Sequence, residues 1–331
     1  MFGQNAVNSE TKFMLKPHTL LTGINGFVGK HLANLLLKHG RNVYGIDIQE
    51  KCMVPGVTYF QMNICDHDSV RRICEQVKPA EIYHLAGVAS PSGFHLTPNS
   101  SFQINIMGTI SMLDAMRTVS SNAVILLVGS STEYNACFSE SGFSEKNPLE
   151  PTSFYGVSKY VSEIIGQYYV RHHNLNVCFT RSFNHTGPGQ SPSFVCSDWA
   201  RQVAEIEVNN AVPEISIGDI NNTIDFSDVR DVVDAYRLIM EKGKKGEPYN
   251  VCSGKGVNLE YILHYLLAKS SSPISIRVQT DKVSGQNTHT GCVGENRKLR
   301  QETGWSPAIP IEKTLDDLYE WWVKELEVKK Y

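Results

Sequence analysis

Residues 22–29 read Thr-Gly-Ile-Asn-Gly-Phe-Val-Gly, between an apolar run at His18–Thr22 and an amphipathic run from Gly26 to His39. The apolar run has the length of a buried strand, and Phe27, Leu32, Leu35 and Leu36 share one face of a helix. Strand, tight loop and helix in that order make a phosphate-binding turn. Gly23 permits the sharp turn, Gly26 lets backbone N–H groups approach a pyrophosphate with no Cβ between, and Gly29 allows close helix–strand packing. The helix N-terminus then faces the phosphates. With Asn25, Phe27 and Val28 completing it, the loop is expected to line a dinucleotide.

The run Asn42–Ile48 reads as a strand carrying Asp47 at its end, roughly twenty residues beyond the loop, where an acid accepts hydrogen bonds from the adenosine ribose. The same acid repels a 2′-phosphate. That favours NAD(H), while Arg41 and Lys51 nearby keep NADP(H) open. Strand and helix patterns then alternate through Val57–Met62, Ser69–Val77, Glu81–Leu85, Phe102–Arg117, Ala123–Val128, Ser153–Arg171 and Val177–Arg181. Alternation of this kind predicts an α/β chain with a Rossmann-type, doubly wound parallel sheet. We expect a flexible leader at 1–16, a dinucleotide-binding domain over 17–182, and a smaller, interleaved α/β substrate domain over 183–331. Segments near 220–254 should return to the first domain.

Composition removes other classes. A net charge of -3 over 331 residues, with no long basic run, gives no reason to expect nucleic acid or membrane partners, and no stretch is long enough to span a bilayer. The eight cysteines form no CxxC pair and no zinc-ligand spacing, so they read as free thiols of a cytoplasmic protein without a metal site.

The chemistry is carried by Tyr155-Gly-Val-Ser-Lys159, on a helix that Ser153 can start. Four residues apart means one helical face. A free tyrosine, with a pKa of roughly 10, is a poor base at neutral pH until its anion is stabilised, and Lys159 supplies the charge. Ser130, at the end of the preceding strand, can hydrogen-bond a reacting carbonyl or alcohol oxygen.

The glycine spacing, Asp47, the serine-tipped strand and the Tyr155/Lys159 pair together resemble the extended short-chain dehydrogenase/reductases, over essentially residues 17–331. The resemblance implies Tyr155 as proton donor or acceptor, Lys159 as its support and as a holder of the nicotinamide ribose, and Ser130 as orienter of the substrate oxygen. It places Ile48, Asn63, Ile64, Leu85, Ala86, Gly87, Asn105 and Phe183 around the cofactor, and Ser90, Ser131, Thr132, Asn184 and Arg201 toward a nucleotide-sugar substrate. Asn105 either pins its helix to the sheet or acts near the site, and His84 reads as a packed core histidine. A homodimer is implied, through a four-helix bundle of the Phe102–Arg117 and Ser153–Arg171 helices.

Asn184-His185-Thr186-Gly187-Pro188-Gly189 is similar to the corresponding turn of GDP-4-keto-6-deoxy-D-mannose reductases, and Asn-His recurs in GDP-mannose dehydratases. His185 is either a ligand or a structural loop residue. In 4,6-dehydratases a glutamate stands two positions after the catalytic Ser or Thr; here that place is Thr132. Glu133, one residue later, is expected to point to the opposite side of a strand extension. Dehydration is thereby disfavoured. Asp225-Phe-Ser-Asp-Val-Arg-Asp231 matches a strand-to-helix segment of the family, with Asp228 as a helix N-cap and Asp231 in its first turn. Ile224 replaces an arginine there, and Val283–Gln286 replaces an Arg-x-Arg-Pro stretch. Arg201, Lys255, Lys282 and Arg297 remain to hold a diphosphate, which needs charge-assisted donors. The expectation is NAD(P)H-dependent reduction of a nucleotide-linked 4-keto-6-deoxyhexose, best GDP-4-keto-6-deoxy-D-mannose. The alternatives are a 4-epimerase or 4,6-dehydratase with retained cofactor, and a redox-sensing binding protein without chemistry.

Overall fold

A computed structural model describes residues 17–88, 98–119, 122–134, 142–279, 292–328 and 330. The leader, Ser90, Lys282 and Val283–Gln286 lie outside the described residues. Strand β1 (His18–Thr22) is buried along almost its whole length and leads through the glycine turn into α1 (Phe27–Lys38). Then come β2 (Asn42–Asp47), β3 (Thr58–Gln61), α2 (His67–Val77) and β4 (Glu81–His84). Helix α2 begins where the Asp66 carboxylate accepts the Ser69 N–H, and stops at Lys78 in the left-handed region.

The single helix expected over Phe102–Arg117 is instead built in three parts. Helix α3 (Pro98–Phe102) passes into a π-helical turn at Gln103–Met107, and α4 (Gly108–Val119) follows. The cause is local. The hydroxyls of Thr109 and Ser162 both donate to the Asn105 carbonyl, at 2.7 and 3.1 Å, competing with the helical N–H groups for that acceptor.

Strand β5 (Val124–Ser130) ends in a 3-10 turn, Ser131–Glu133, and α5 (Phe154–His173) follows, capped by the Ser153 hydroxyl on Gly156 N–H. Beyond it lie β6 (Asn176–Ser182), β7 (Asn184–Thr186), α6 (Val195–Asn209), β8 (Glu214–Ile217) and β9 (Thr223–Asp228). The chain closes with α7 (Val229–Lys242), β10 (Pro248–Val251), β11 (Gly256–Asn258), α8 (Leu259–Leu267), β12 (Ser275–Val278), α9 (Arg297–Thr303) and α10 (Ile311–Val328).

Seven parallel strands form the main sheet in the order β10-β6-β5-β4-β1-β2-β3. The order reverses between β1 and β4, which opens a crevice at their carboxyl ends. Helices α1 and α7 cover one face through Leu32, Leu36, Val232, Tyr236 and Ile239. The other face lies under α2, α4 and α5, with Val70, Met112, Met116 and the partly buried Ile165. A third core joins α6, α8 and α10 through Trp199, Ile262, Leu266, Leu318 and Trp322, beside the small sheets β11-β9-β7 and β12-β8. Among the described residues no helix is long and apolar enough to cross a membrane, no cluster could hold a metal ion, and the seven cysteines are free.

The acids of 225–231 bind distant segments of the chain together. Asp225 is fully buried and accepts from Ser253 N–H, Ser253 hydroxyl, Gly254 N–H and Gly294 N–H at 2.9, 2.5, 2.9 and 3.1 Å. Asp228 caps α7 and takes the Thr314 hydroxyl, while Asp231 holds the Ala308 and Ile309 amides. Asp225→Ala strips four buried donors of one acceptor. It should lower unfolding stability by about 3 kcal/mol, read as a reduced denaturant midpoint.

Candidate active site

The glycine turn, the β4 end, the β5 end and the β6 end all lie at the carboxyl edge of the main sheet. Gly23 has φ +71°, and a Cβ there would stand 2.9 Å from Ala86 N, so the turn lies directly on the segment after β4. Gly29 is tighter still, with a Cβ falling 2.3 Å from Gly23 O. Gly26 is exposed, and α1 begins there with no side-chain cap and no acid in its first turn. Its first N–H groups are thus left for an anion. These features fit a dinucleotide diphosphate.

Asn25 staples the turn, donating to Lys51 O at 2.9 Å and accepting Met53 N–H at 2.8 Å. Asp47 accepts Asn25 N–H at 3.0 Å and Gln49 N–H at 3.3 Å, which leaves about two of its four lone-pair sites for ribose hydroxyls. Ile48 and Asn63 are exposed beside it, with the Asn63 side chain accepting Cys65 N–H, whereas Ile64 is in the core. Phe27 stacks on His185, centroids 6.2 Å apart, and His31 bonds Pro188 O at 2.8 Å, so the glycine turn touches the 184–190 turn. His185 is tied to Phe183 O at 2.9 Å and burial lowers its pKa. The Phe183 side chain is buried with Tyr134, Phe143 and Cys252. Val28 flanks the turn, half-buried.

Leu85, Ala86 and Gly87 continue toward the candidate catalytic group. Ala86 N–H donates to Thr22 Oγ1 at 3.0 Å, and a Cβ on Gly87 would lie 2.8 Å from Asn105 Oδ1 and 3.5 Å from Lys159 Nζ. Asn105 is buried, accepting Val88 N–H at 2.9 Å and donating to Ser158 Oγ at 2.8 Å; it pins the π-helical turn and stands beside Lys159. His84 lies between Thr22 and Thr109 hydroxyls, and burial, reinforced by Lys159, pulls its pKa down to about 3. It is a neutral core histidine.

Ser130, Tyr155 and Lys159 come together. Ser130 Oγ accepts the Thr132 N–H at 3.2 Å and the Thr132 hydroxyl at 2.9 Å, so its own proton points elsewhere. The Tyr155 hydroxyl faces Ser130; burial raises the phenol pKa and the Ser130 hydroxyl opposes the rise. Lys159 Nζ donates to Val128 O at 2.9 Å and lies 6.0 Å from the Tyr155 ring centroid. Burial pulls its pKa down to about 8, against a smaller pull upward from Glu133.

Glu133 corrects the strand extension. Ser131 and Thr132 enter a 3-10 turn that folds Glu133 back, fully buried, to accept Ser130 N–H at 2.7 Å. The Ser130-x-x-Glu133 spacing is a capping-box pattern, a signal already present in the sequence. Sequence reasoning also missed Glu163 and Arg181, the buried pair below it.

The substrate side is less convergent. Asn184 is exposed at the start of β7, and Arg201 is spent on Asp198 and Glu205 at 3.0 and 2.6 Å. Ile224 packs against the third core. Arg297 is exposed and paired with Glu295, and Lys255 is exposed between β10 and β11.

The strand order and the glycine turn at its reversal make a dinucleotide-binding Rossmann-type fold. The matches that follow make the protein an NAD(P)-dependent, nucleotide-sugar-modifying enzyme of the extended short-chain dehydrogenase/reductase class. The family described as GDP-mannose 4,6 dehydratase matches residues 20–318, and the chain belongs to it. It is 28% identical over 306 residues to the GDP-6-deoxy-D-mannose reductase of Pseudomonas aeruginosa, covering 91% of this chain and 96% of that protein. It is 26% identical to the dTDP-glucose 4,6-dehydratase of Haemophilus influenzae, covering 92% and 97%. Among solved structures, RMD from Pseudomonas aeruginosa complexed with NADPH superposes with a TM-score of 0.80 at 27% identity, over 94% of this chain and 100% of that one. The UDP-glucose 4-epimerase of Thermus thermophilus, in complex with NAD, shares the fold at a TM-score of 0.81 and 22% identity, over 92% and 98%.

The buried amine makes a stability prediction. Between pH about 8 and 10.5 the unfolded chain holds a Lys159 proton that the folded protein has lost, so stability rises with pH through that window. Below it the folded protein carries the full cost of the buried charge. Lys159→Met should raise the melting temperature at pH 7, with the gain shrinking toward pH 10, as read by paired thermal melts.

Proposed function

We propose that the protein reduces the 4-keto group of a nucleotide-linked 4-keto-6-deoxyhexose, GDP-4-keto-6-deoxy-D-mannose best, to GDP-6-deoxy-D-mannose. The observation that carries this reading is the Ser130–Tyr155–Lys159 group with Thr132, and no acid, two positions after Ser130. Glu133 is turned into the interior, away from the side on which a dehydratase glutamate would have to act. The Asn184–Gly189 turn and the Pseudomonas relative support the GDP-linked sugar.

A bound nicotinamide supplies hydride to the carbonyl carbon. The chain's own residues do the rest. Ser130, its oxygen loaded with two hydrogen bonds from Thr132, points its proton at the substrate oxygen and holds it in place. Tyr155 is protonated at neutral pH, because burial raises its pKa, and donates to that oxygen as charge develops there. Lys159 stabilises the resulting phenolate and, with Tyr155, holds the nicotinamide ribose. Gly23, Asn25, Gly26, Phe27, Val28 and Gly29 bind the diphosphate, and Asp47 the adenosine ribose, for which NADH suits better than NADPH. Ser131, Thr132 and Asn184 face the sugar nucleotide.

Asp47 also favours a second reading, a 4-epimerase or dehydratase that retains NAD and recycles the hydride. Nicotinamide absorbance with NADH or NADPH and GDP-, TDP-, UDP- and CDP-linked 4-keto-6-deoxysugars separates the two. Net oxidation supports reduction; no oxidation, with NAD retained and epimerised product, supports recycling. Tyr155→Phe should lower turnover about a thousandfold while leaving NADH binding intact, and near-normal turnover would sink the assignment.

A homodimer in a reducing cytoplasm completes the proposal. Phe154, Ile164 and Tyr168 on α5, and Met107 before α4, expose apolar surface that a second copy would cover. Sedimentation should give a dimer, and Ile164→Arg a monomer.

A further inference from the structure

The proposed reaction uses one side of the β5–α5 junction, and the other side holds a cluster of buried charge with no assigned task. Glu133 Oε1 accepts Ser130 N–H at 2.7 Å, while Oε2, equally buried, has no donor among the described residues. Beside it stands Glu163, one helical turn beyond Lys159 on α5, gripped by Arg181 of β6 through Nη2 at 2.7 Å and Nε at 3.0 Å. Glu133 Oε2 therefore lies buried beside the Glu163 charge with no donor among the described residues to answer it, a position that is costly for an ionised carboxylate and not for a protonated one. Arg181 donates to both oxygens of Glu163 and not to Glu133 Oε2, so the proton belongs on Glu133. Burial and the Glu163 charge push the Glu133 carboxyl well above the usual carboxylate range. Space was left for this group: a Cβ on Gly129 would fall 2.4 Å from Glu133 Oε1.

Against the cluster lies a cavity of about 20 Å³, whose polar lining comes from Lys159, Glu163, Ser162, Asn105, Thr109 and His84. That is room for one water with enough partners to hold it. Glu133 faces Tyr155, Lys159 and Glu163 of α5 and Arg181 of β6, and Tyr134 follows it on the guanidinium. His84 is neutral and gives up no proton at working pH.

We infer that Glu133 and Glu163 form a proton store behind Lys159, joined to its amine by one water in this cavity. The inference rests on the roles proposed above for Tyr155 and Lys159. When Tyr155 gives its proton to the substrate oxygen, the phenolate is restored at the expense of a proton on Lys159. The water then passes a proton to Lys159 Nζ, forming N–H, and is restored by a proton from Glu163, which lines the cavity and is resupplied as the Glu133 O–H breaks. Two carboxylates remain beside Arg181 and take a proton back from solvent after product leaves. Glu133 is a positioning and proton-supplying residue, acting through Lys159.

Glu133→Gln separates this from a structural role. Glutamine keeps the acceptor for Ser130 N–H and turns an N–H toward Glu163, but has no proton to release. The store requires a protonated-carboxyl C=O stretch in the infrared spectrum of the wild-type protein alone at pH 8, lost in Glu133→Gln. It also requires kcat to fall about tenfold, with KM unchanged and the alkaline limb of the kcat profile moved to lower pH. A wild-type spectrum without the band overturns the store by itself, whether or not the variant folds. So does a Glu133→Gln enzyme with wild-type kcat and pH profile. Failure of the reductase reading shows differently, as wild-type protein that oxidises neither cofactor with any keto-sugar, and leaves the infrared test standing.

Discussion

The bidentate pair between Arg181 and Glu163 holds the site in register. Both side chains are buried, and taking two charges out of water costs several kcal/mol each unless geometry and hydrogen bonding are complete. Here they are nearly so. The same guanidinium donates to the Tyr134 hydroxyl and to Glu145 O, each at 3.0 Å, and Tyr134 passes a hydrogen bond on to Asn250 Oδ1 at 2.7 Å. One side chain of β6 thereby fixes α5, the turn after β5, the 143–145 segment and β10. Since Tyr155 and Lys159 are carried by α5 and Ser130 by β5, their mutual placement depends on this node. Close packing completes it: a Cβ on Gly156 would fall 2.3 Å from Thr132 O, and one on Gly166 2.4 Å from Phe179 Cε1.

What was legible in the sequence shares one property: a local pattern with a local cause. The turn at 22–29 needs no distant partner to be read, because strand, glycines and helix are contiguous. Asp228 as a cap was equally readable from a short pattern. The π-helical turn was not, since the competition for the Asn105 carbonyl comes partly from Ser162, 57 residues away on another helix. The 3-10 turn at Ser131–Glu133 was hidden for the opposite reason. Its capping-box spacing is local, but a polar run after a strand reads equally well as a continuation of the strand, and the reciprocal bonds of the turn curl Glu133 into the interior instead. On the substrate side, residue type alone could not tell whether Arg201 was free. Its neighbours Asp198 and Glu205, at i−3 and i+4 on the same helix, take both ends of the guanidinium.

The chain buries charge in two different ways, and the contrast separates its architecture from its chemistry. Asp225 meets four donors, Asp228 meets Arg230 and Thr314, and Asp231 meets two backbone amides. Acids so fully satisfied tie segments together. Lys159 and Glu133 are placed otherwise. The amine has Val128 O as its protein acceptor and is pulled toward neutrality by burial, and one oxygen of the Glu133 carboxyl has no donor among the described residues. A group held short of its full complement of partners in a low-dielectric site costs stability and gains sensitivity to small changes nearby. Both such groups lie within one turn of α5 from each other's partners, under the serine and tyrosine that face the crevice. Stability is surrendered there while the 225–231 acids and the Arg181 node fix the surrounding segments, which is the distribution expected when a scaffold must hold still around a proton that must move.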